Sequence, residues 1–214
     1  MKQDEENKPN EVSEELVETT MDLAVDYSEI ALDSIFDDSI LEEVPIIKTI
    51  VSTYKIGKSI QERHFVKKLT IFLKEFHSGK VDDKKLKDFK QKFSTDNKYQ
   101  SQVMEHIMVF NDRFIYSQKS KILANLFSAY IEDKMDWTFY TELAHCLERL
   151  SPNALTLIKT LSKQKFNIPI DDELDDTYVK GVFFAAGIIG VIKDDGSLSY
   201  LGSMAHDIYI YGKL

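Results

Sequence analysis

The strongest constraint on this chain is a pattern written twice. The stretch KKLTIFLKEFHSGKVDDKKLKDF, from Lys67, and the stretch KILANLFSAYIEDKMDWTFYTEL, from Lys121, correspond at an offset of 54 residues. Lys67, Leu69, Phe72, Leu73, Phe76, Lys80, Asp82, Leu86 and Phe89 answer to Lys121, Leu123, Leu126, Phe127, Tyr130, Lys134, Asp136, Tyr140 and Leu143. Apolar residues three and four apart share one face of a helix, and a short polar turn interrupts each run. An aspartate after the turn can accept from the unpaired amides of a new helix. The pattern predicts two αα-hairpins, whether it arose by duplication or because two hairpins obey the same rules.

Further helices follow from the same spacing. His64 to Phe76 carries Phe65, Leu69, Phe72, Leu73 and Phe76 on one face, with Lys67, Lys68, Lys74 and Glu75 assigned to others. Ser78-Gly79 ends it, and Asp82 or Asp83 caps a helix bearing Leu86, Phe89 and Phe93. Ser94-Thr95-Asp96 starts a third, with Tyr99, Val103, Ile107, Phe110 and Phe114 in line. A fourth spans Ser117 to Ile131, and Asp136 caps a fifth that runs to Leu150. Residues 1–11 are polar and acidic and read as a disordered tail. A looser helical stripe from Ser13 to Ile35 precedes the break at Val44-Pro45. Residues 12–150 are thus expected to form a helical bundle.

The segment VFFAAGIIGVIKDDGSLSYLG, Val182 to Gly202, is apolar enough to raise the question of a membrane. Its apolar run, Val182 to Ile192, is only 11 residues long before Lys193, and Lys48, Lys55 and Lys58 interrupt the other apolar run, Val44 to Ile60. A spanning helix needs roughly 18 apolar residues without charge, so neither qualifies. Ser151-Pro152 is a strong helix start, because serine caps and proline suits the first helical position. A helix from Thr177 to Ile188, strands at Val191-Ile192 and at Leu198 and Tyr200, a turn at Asp194-Asp195-Gly196, and a last helix with Met204, Ile208 and Tyr211 complete the reading. The expected fold is mainly α: a bundle of αα-hairpins followed, over residues 151–214, by a small winged-helix-like unit with one β-hairpin, packed on the bundle.

Charge is unevenly placed. Residues 1–45 hold 15 acidic against 2 basic residues, whereas residues 46–98 hold 14 basic against 6 acidic, within a total of −9. The basic band Lys55, Lys58, Arg63, Lys67 and Lys68 is the candidate surface for a polyanion or partner, and with the apolar residues 46–54 upstream it suits peripheral contact with an anionic membrane over residues 46–76. The lead-in to the wing, DDELDDTYVK, carries five acids against Lys180, which opposes nucleic-acid binding through the C-terminal unit.

No complete catalytic, cofactor or metal motif stands out. STYKIGKS ends like a phosphate-binding loop but has Ser52 where that loop needs glycine. His145 and Cys146 are adjacent, so a helix points them about 100° apart and they cannot form a nucleophile–base pair. Cys146, the single cysteine, reads as a core thiol in a reducing cytoplasm. His64, His77, His106 and His206 lack metal-ligand spacing, and DDELDD lacks the glycine of a calcium loop.

KILANLFSAYI, LERLSPNALTLIKTL, FFAAGIIGVI and SLSYLGSMAHDIY together resemble the abortive-infection alpha family of bacterial and prophage proteins, over roughly residues 119–210. The matching positions are Leu150, Ser151, Pro152, Gly187, Ile188, Tyr200, Leu201 and Gly202, without the threonine usual between leucine and glycine at the wing exit. The resemblance implies phage defence or prophage exclusion and supplies no catalytic residues. The expected function is that of a non-enzymatic, cytoplasmic interaction protein, a sensor or effector in phage–host conflict that acts through a protein partner or its own oligomer. The alternatives are a nucleic-acid-binding transcriptional regulator and a peripheral membrane-acting protein.

Overall fold

The computed structural model describes residues 59–163 and 200–214. The acidic tail, the stripe from Ser13 to Ile35, the helix at Thr177 and the strands placed before Tyr200 lie outside the described residues. Seven helices make up the described part: α1 Ile60–Ser78, α2 Asp83–Thr95, α3 Asn97–Arg113, α4 Gln118–Ile131, α5 Trp137–Arg149, α6 Pro152–Lys163 and α7 Tyr200–Tyr211. They fall into two compact units, divided between Lys121 and Ile122.

In the first unit, the starts and stops are written in polar side chains. Ser59 and Glu62 form a capping box: the Glu62 amide donates to Ser59 Oγ at 3.3 Å, and the Ser59 amide donates to Glu62 Oε2 at 3.1 Å. That box starts α1 four residues before His64, where apolar spacing alone begins. At the other end, the Gly79 amide donates to the carbonyls of Glu75 and Phe76. Asp82 Oδ1 accepts from the amides of Lys84 and Lys85, and Asp96 Oδ1 accepts from Tyr99. Both caps fall where the sequence places them.

α3 packs against both α1 and α2. The shared core holds Leu69, Phe72, Leu73 and Phe76 from α1, Phe89 and Phe93 from α2, and Val103, Ile107 and Phe110 from α3. Phe89 lies edge-on to Tyr99 at 6.2 Å, and the Lys92 ammonium rests 4.1 Å from the Tyr99 ring. Phe114 follows the end of α3 rather than extending it, yet its ring is buried and its amide still donates to Phe110.

In the second unit, Asp136 Oδ1 accepts from the Phe139 amide and Ser151 Oγ accepts from Ala154, so α5 and α6 also begin at their expected caps. Asp133 takes a left-handed conformation, φ 56°, in the turn before α5. The repeat holds at the level of burial for four of its six apolar pairs. Leu69 and Leu123, Phe72 and Leu126, Leu73 and Phe127, and Phe89 and Leu143 are buried in matched pairs. The copies diverge on the opposite face: from Ile122 to Ala129 every residue of α4 is buried, so α4 is a core helix all round, whereas α1 keeps a wet side.

α7 packs against α5 and α6. It begins at Tyr200, so Tyr200, Leu201 and Gly202, expected at the exit of a wing, are helical instead. The chain there continues into the apolar row of Met204, Ala205 and Ile208, all buried, and that row favours an earlier helix start over a longer strand.

Gly212 seats the C-terminus on α4. A Cβ added there would lie 2.2 Å from the Ile208 carbonyl oxygen and 2.6 Å from Ile122 Cγ2. The first of these is backbone, which no rotamer change relieves. Gly212→Ala is therefore expected to cost about 2–3 kcal/mol through forced backbone movement, read as a lower midpoint in urea. An unchanged midpoint would mean that the last turn is not held in this position.

Candidate functional site

The basic band is divided by the fold. Lys55 and Lys58 lie outside the described residues, as do Ser52 to Lys58 of STYKIGKS and the DDELDD cluster. Arg63 and Lys67 are half-buried and, four residues apart, share one face of α1. Lys68 does not belong to this surface. It is only 6% exposed, and its ammonium donates to the carbonyl oxygens of Asp112 and Phe114, each at 2.7 Å. The reason is positional: Lys68 precedes Phe72 by four residues and Phe76 by eight, which puts it on the core row of α1. There it caps the C-terminus of α3, where a cation suits the unpaired carbonyls. Burial lowers its pKa, and the nearby Asp112 carboxylate acts in the opposite direction.

The exposed positive charge sits instead on and around α2. Residues 80–98 hold seven lysines, of which Lys80, Lys84, Lys87, Lys92 and Lys98 are exposed. The same stretch has four aspartates, and two of these, Asp82 and Asp96, are committed to helix amides as caps. The lysine side chains thus dominate this surface.

Between the last turn of α1 and α2 lies an open cavity of about 310 Å³, lined by Phe76, His77, Val81, Asp83, Leu86, Lys87 and Lys90. Its polar wall is unusual in character. Burial, reinforced by the positive charge of Lys90, pushes the His77 imidazole down to about 4 from its ordinary 6.5. Lys90 is itself lowered by burial. The imidazole is therefore neutral throughout the physiological range, and the two ammonium groups carry the charge.

This histidine makes stability depend on pH. As pH falls below 6.5 the unfolded chain takes up a proton that folded His77 refuses until about pH 4, so folding weakens across that window. The loss is expected to be on the order of 2 kcal/mol, reduced from the full shift because the ring is partly exposed. Denaturant melts at pH 7, 5.5 and 4 should show His77→Gln losing less stability than the parent. Parallel curves would mean that folded His77 protonates normally.

Other reactive groups are held apart. Cys146 is buried and its thiol is raised by burial, while its neighbour His145 is exposed with Nδ1 3.8 Å from Glu148 Oε2. The helix separates them as their adjacency requires. Among the described residues, no group of three or more His, Cys, Asp and Glu side chains is arranged to hold a metal ion, and no helix is long and apolar enough to cross a membrane.

Sequence reasoning missed the Lys68 clamp and the cavity. The clamp had a signal in the row of Lys68, Phe72 and Phe76. The cavity had none, since it depends on the separation of two helices that both lean on α3. Comparison with protein-family models, with curated proteins and with solved structures found no match.

Proposed function

We propose that this chain is a non-enzymatic interaction protein of phage–host conflict, and that the lysine-rich surface of α2 receives an acidic protein partner. The observation that carries the reading is a division of labour among side chains. Cys146 and Tyr140 are buried in the core and Lys68 is spent on helix carbonyls, whereas five of the seven lysines of residues 80–98 are exposed. Surface charge of one sign speeds and orients encounter with a partner of the other sign. The biological setting comes from the resemblance of residues 119–210 to abortive-infection proteins. In this reading the residues between α6 and α7 supply a winged-helix-like part closed by α7, and the protein works in the cytoplasm.

The test is phage plaquing on bacteria that produce the chain. Reduced plaquing is expected, and the triple variant Lys80→Glu, Lys84→Glu, Lys98→Glu should restore it with an unchanged thermal midpoint. Plaquing unaffected by the parent, or by the triple reversal, would reject the reading.

A transcriptional regulator remains the second reading because the same lysines could neutralise phosphates. Such binding weakens steeply with salt. A low-salt gel shift lost in the triple variant would favour the regulator over a protein partner.

A further inference from the structure

The α1–α2 cavity has the two halves of a small-molecule site. One half is apolar: Phe76, Val81 and Leu86. The other is cationic: Lys87 and Lys90 stand three residues apart on α2, on one face of the helix, and both line the cavity. Asp83 supplies one opposing charge, which leaves the lining net positive with His77 neutral.

Size and donor type narrow the ligand. Pockets for small molecules run from roughly 300 to 1,000 Å³, and this one, at about 310 Å³, is at the small end. Lysine can hold a phosphate as a point charge, but bidentate phosphate recognition uses arginine forks or the open amides of a helix start. Among the described residues no arginine lines the cavity, and the Lys84 and Lys85 amides at the start of α2 are already taken by Asp82, at 3.1 and 3.0 Å. Two lysines beside an apolar floor, offset by one aspartate, fit a single negative charge carried on a short apolar body.

We propose that the cavity between α1 and α2 binds a small amphipathic carboxylate, with its aryl or short alkyl group on Phe76, Val81 and Leu86 and its carboxylate between Lys87 and Lys90. The half-buried position of Lys90 favours this arrangement. A cation already partly stripped of water loses little more hydration on meeting an anion. The inference stands apart from the interaction reading, because it concerns the cavity rather than the outer lysines of the surface.

The probes are benzoate and octanoate, each paired with its neutral amide, added to the isotopically labelled full chain and followed by amide NMR shifts. Saturable shifts centred on residues 76–90 are expected, with each acid at least about tenfold tighter than its amide. Lys87→Gln with Lys90→Gln should erase the difference between acid and amide, and Leu86→Trp should fill the cavity and abolish both. The double lysine variant alters side chains with solvent access, so it keeps the test decisive if the tryptophan variant fails to fold. Shifts that never saturate, that arise elsewhere, or that are equal for acid and amide would overturn the assignment. Plaquing unaffected by the parent chain, with acid binding in the cavity intact, would overturn only the interaction reading.

Discussion

Replacing Tyr140 with alanine should cost about 3–5 kcal/mol, the largest single loss expected in the chain. Tyr140 is fully buried and is the largest such side chain among the described residues. Its ring lies 5.7 Å from Phe127, 5.8 Å from Tyr130 and 5.4 Å from Trp137, and Trp137 in turn stands edge-on to Tyr130 at 5.3 Å. The alanine variant removes the ring on which the other three converge and leaves a void that their rigid planes cannot fill. Tyr140→Phe keeps the ring and should retain most of the stability. The protein has one tryptophan, so the experiment reads itself: Trp137 emission should move to longer wavelength in the alanine variant under native conditions. Unaltered emission with a loss below about 1 kcal/mol would mean that the cluster is not packed as described.

The second large effect belongs to Lys68. Lys68→Met preserves most of the side-chain volume but deletes the donor to two carbonyl oxygens, one of them in a buried bond. The expected cost is about 2–4 kcal/mol, because carbonyls left unmet in the interior cost more than an average hydrogen bond contributes. Lys68→Arg should not rescue it, since a planar fork does not match a site shaped for a compact ammonium. The pH dependence has a definite sign. Folded Lys68 has the lower pKa, so the unfolded chain holds its proton to higher pH. In the alkaline range up to 10.5 the parent should therefore gain stability relative to Lys68→Met as pH rises. Equal stability of parent and Met variant at pH 7 would show that the two carbonyls are met in another way.

The helices were legible because their signals are local. Asp82, Asp96, Asp136 and Ser151 each mark a helix start in the sequence and each accepts from an amide in the structure. The paired burial of the two hairpins was legible for the same reason, since spacing of three and four sets a face. The candidate site was not. Lys68 reads as one more lysine in a basic run, and only the approach of α3 turns it inward. Lys87 and Lys90 read as solvent-side charge, and only the gap beside Phe76 gives them a shared cavity. The exit of the proposed wing was misread at Tyr200 because alternation over a few residues cannot be told from the start of an apolar helix.

The hydroxyls of Thr70 and Ser128 and the amide of Asn111 are buried, yet each donates to a carbonyl four residues earlier on its own helix, Val66, Ala124 and Ile107 respectively. Bonds that close within one helix carry no information about which way a neighbour must be turned. Mutual orientation among the described helices therefore rests on the outlines of aromatic rings, on the grip of the Lys68 ammonium and on the buried Asn125 amide, which donates to the Gly212 carbonyl at 3.3 Å. Swapping several rings for aliphatic groups of equal bulk should blur the interior into many near-equivalent arrangements well before the chain unfolds.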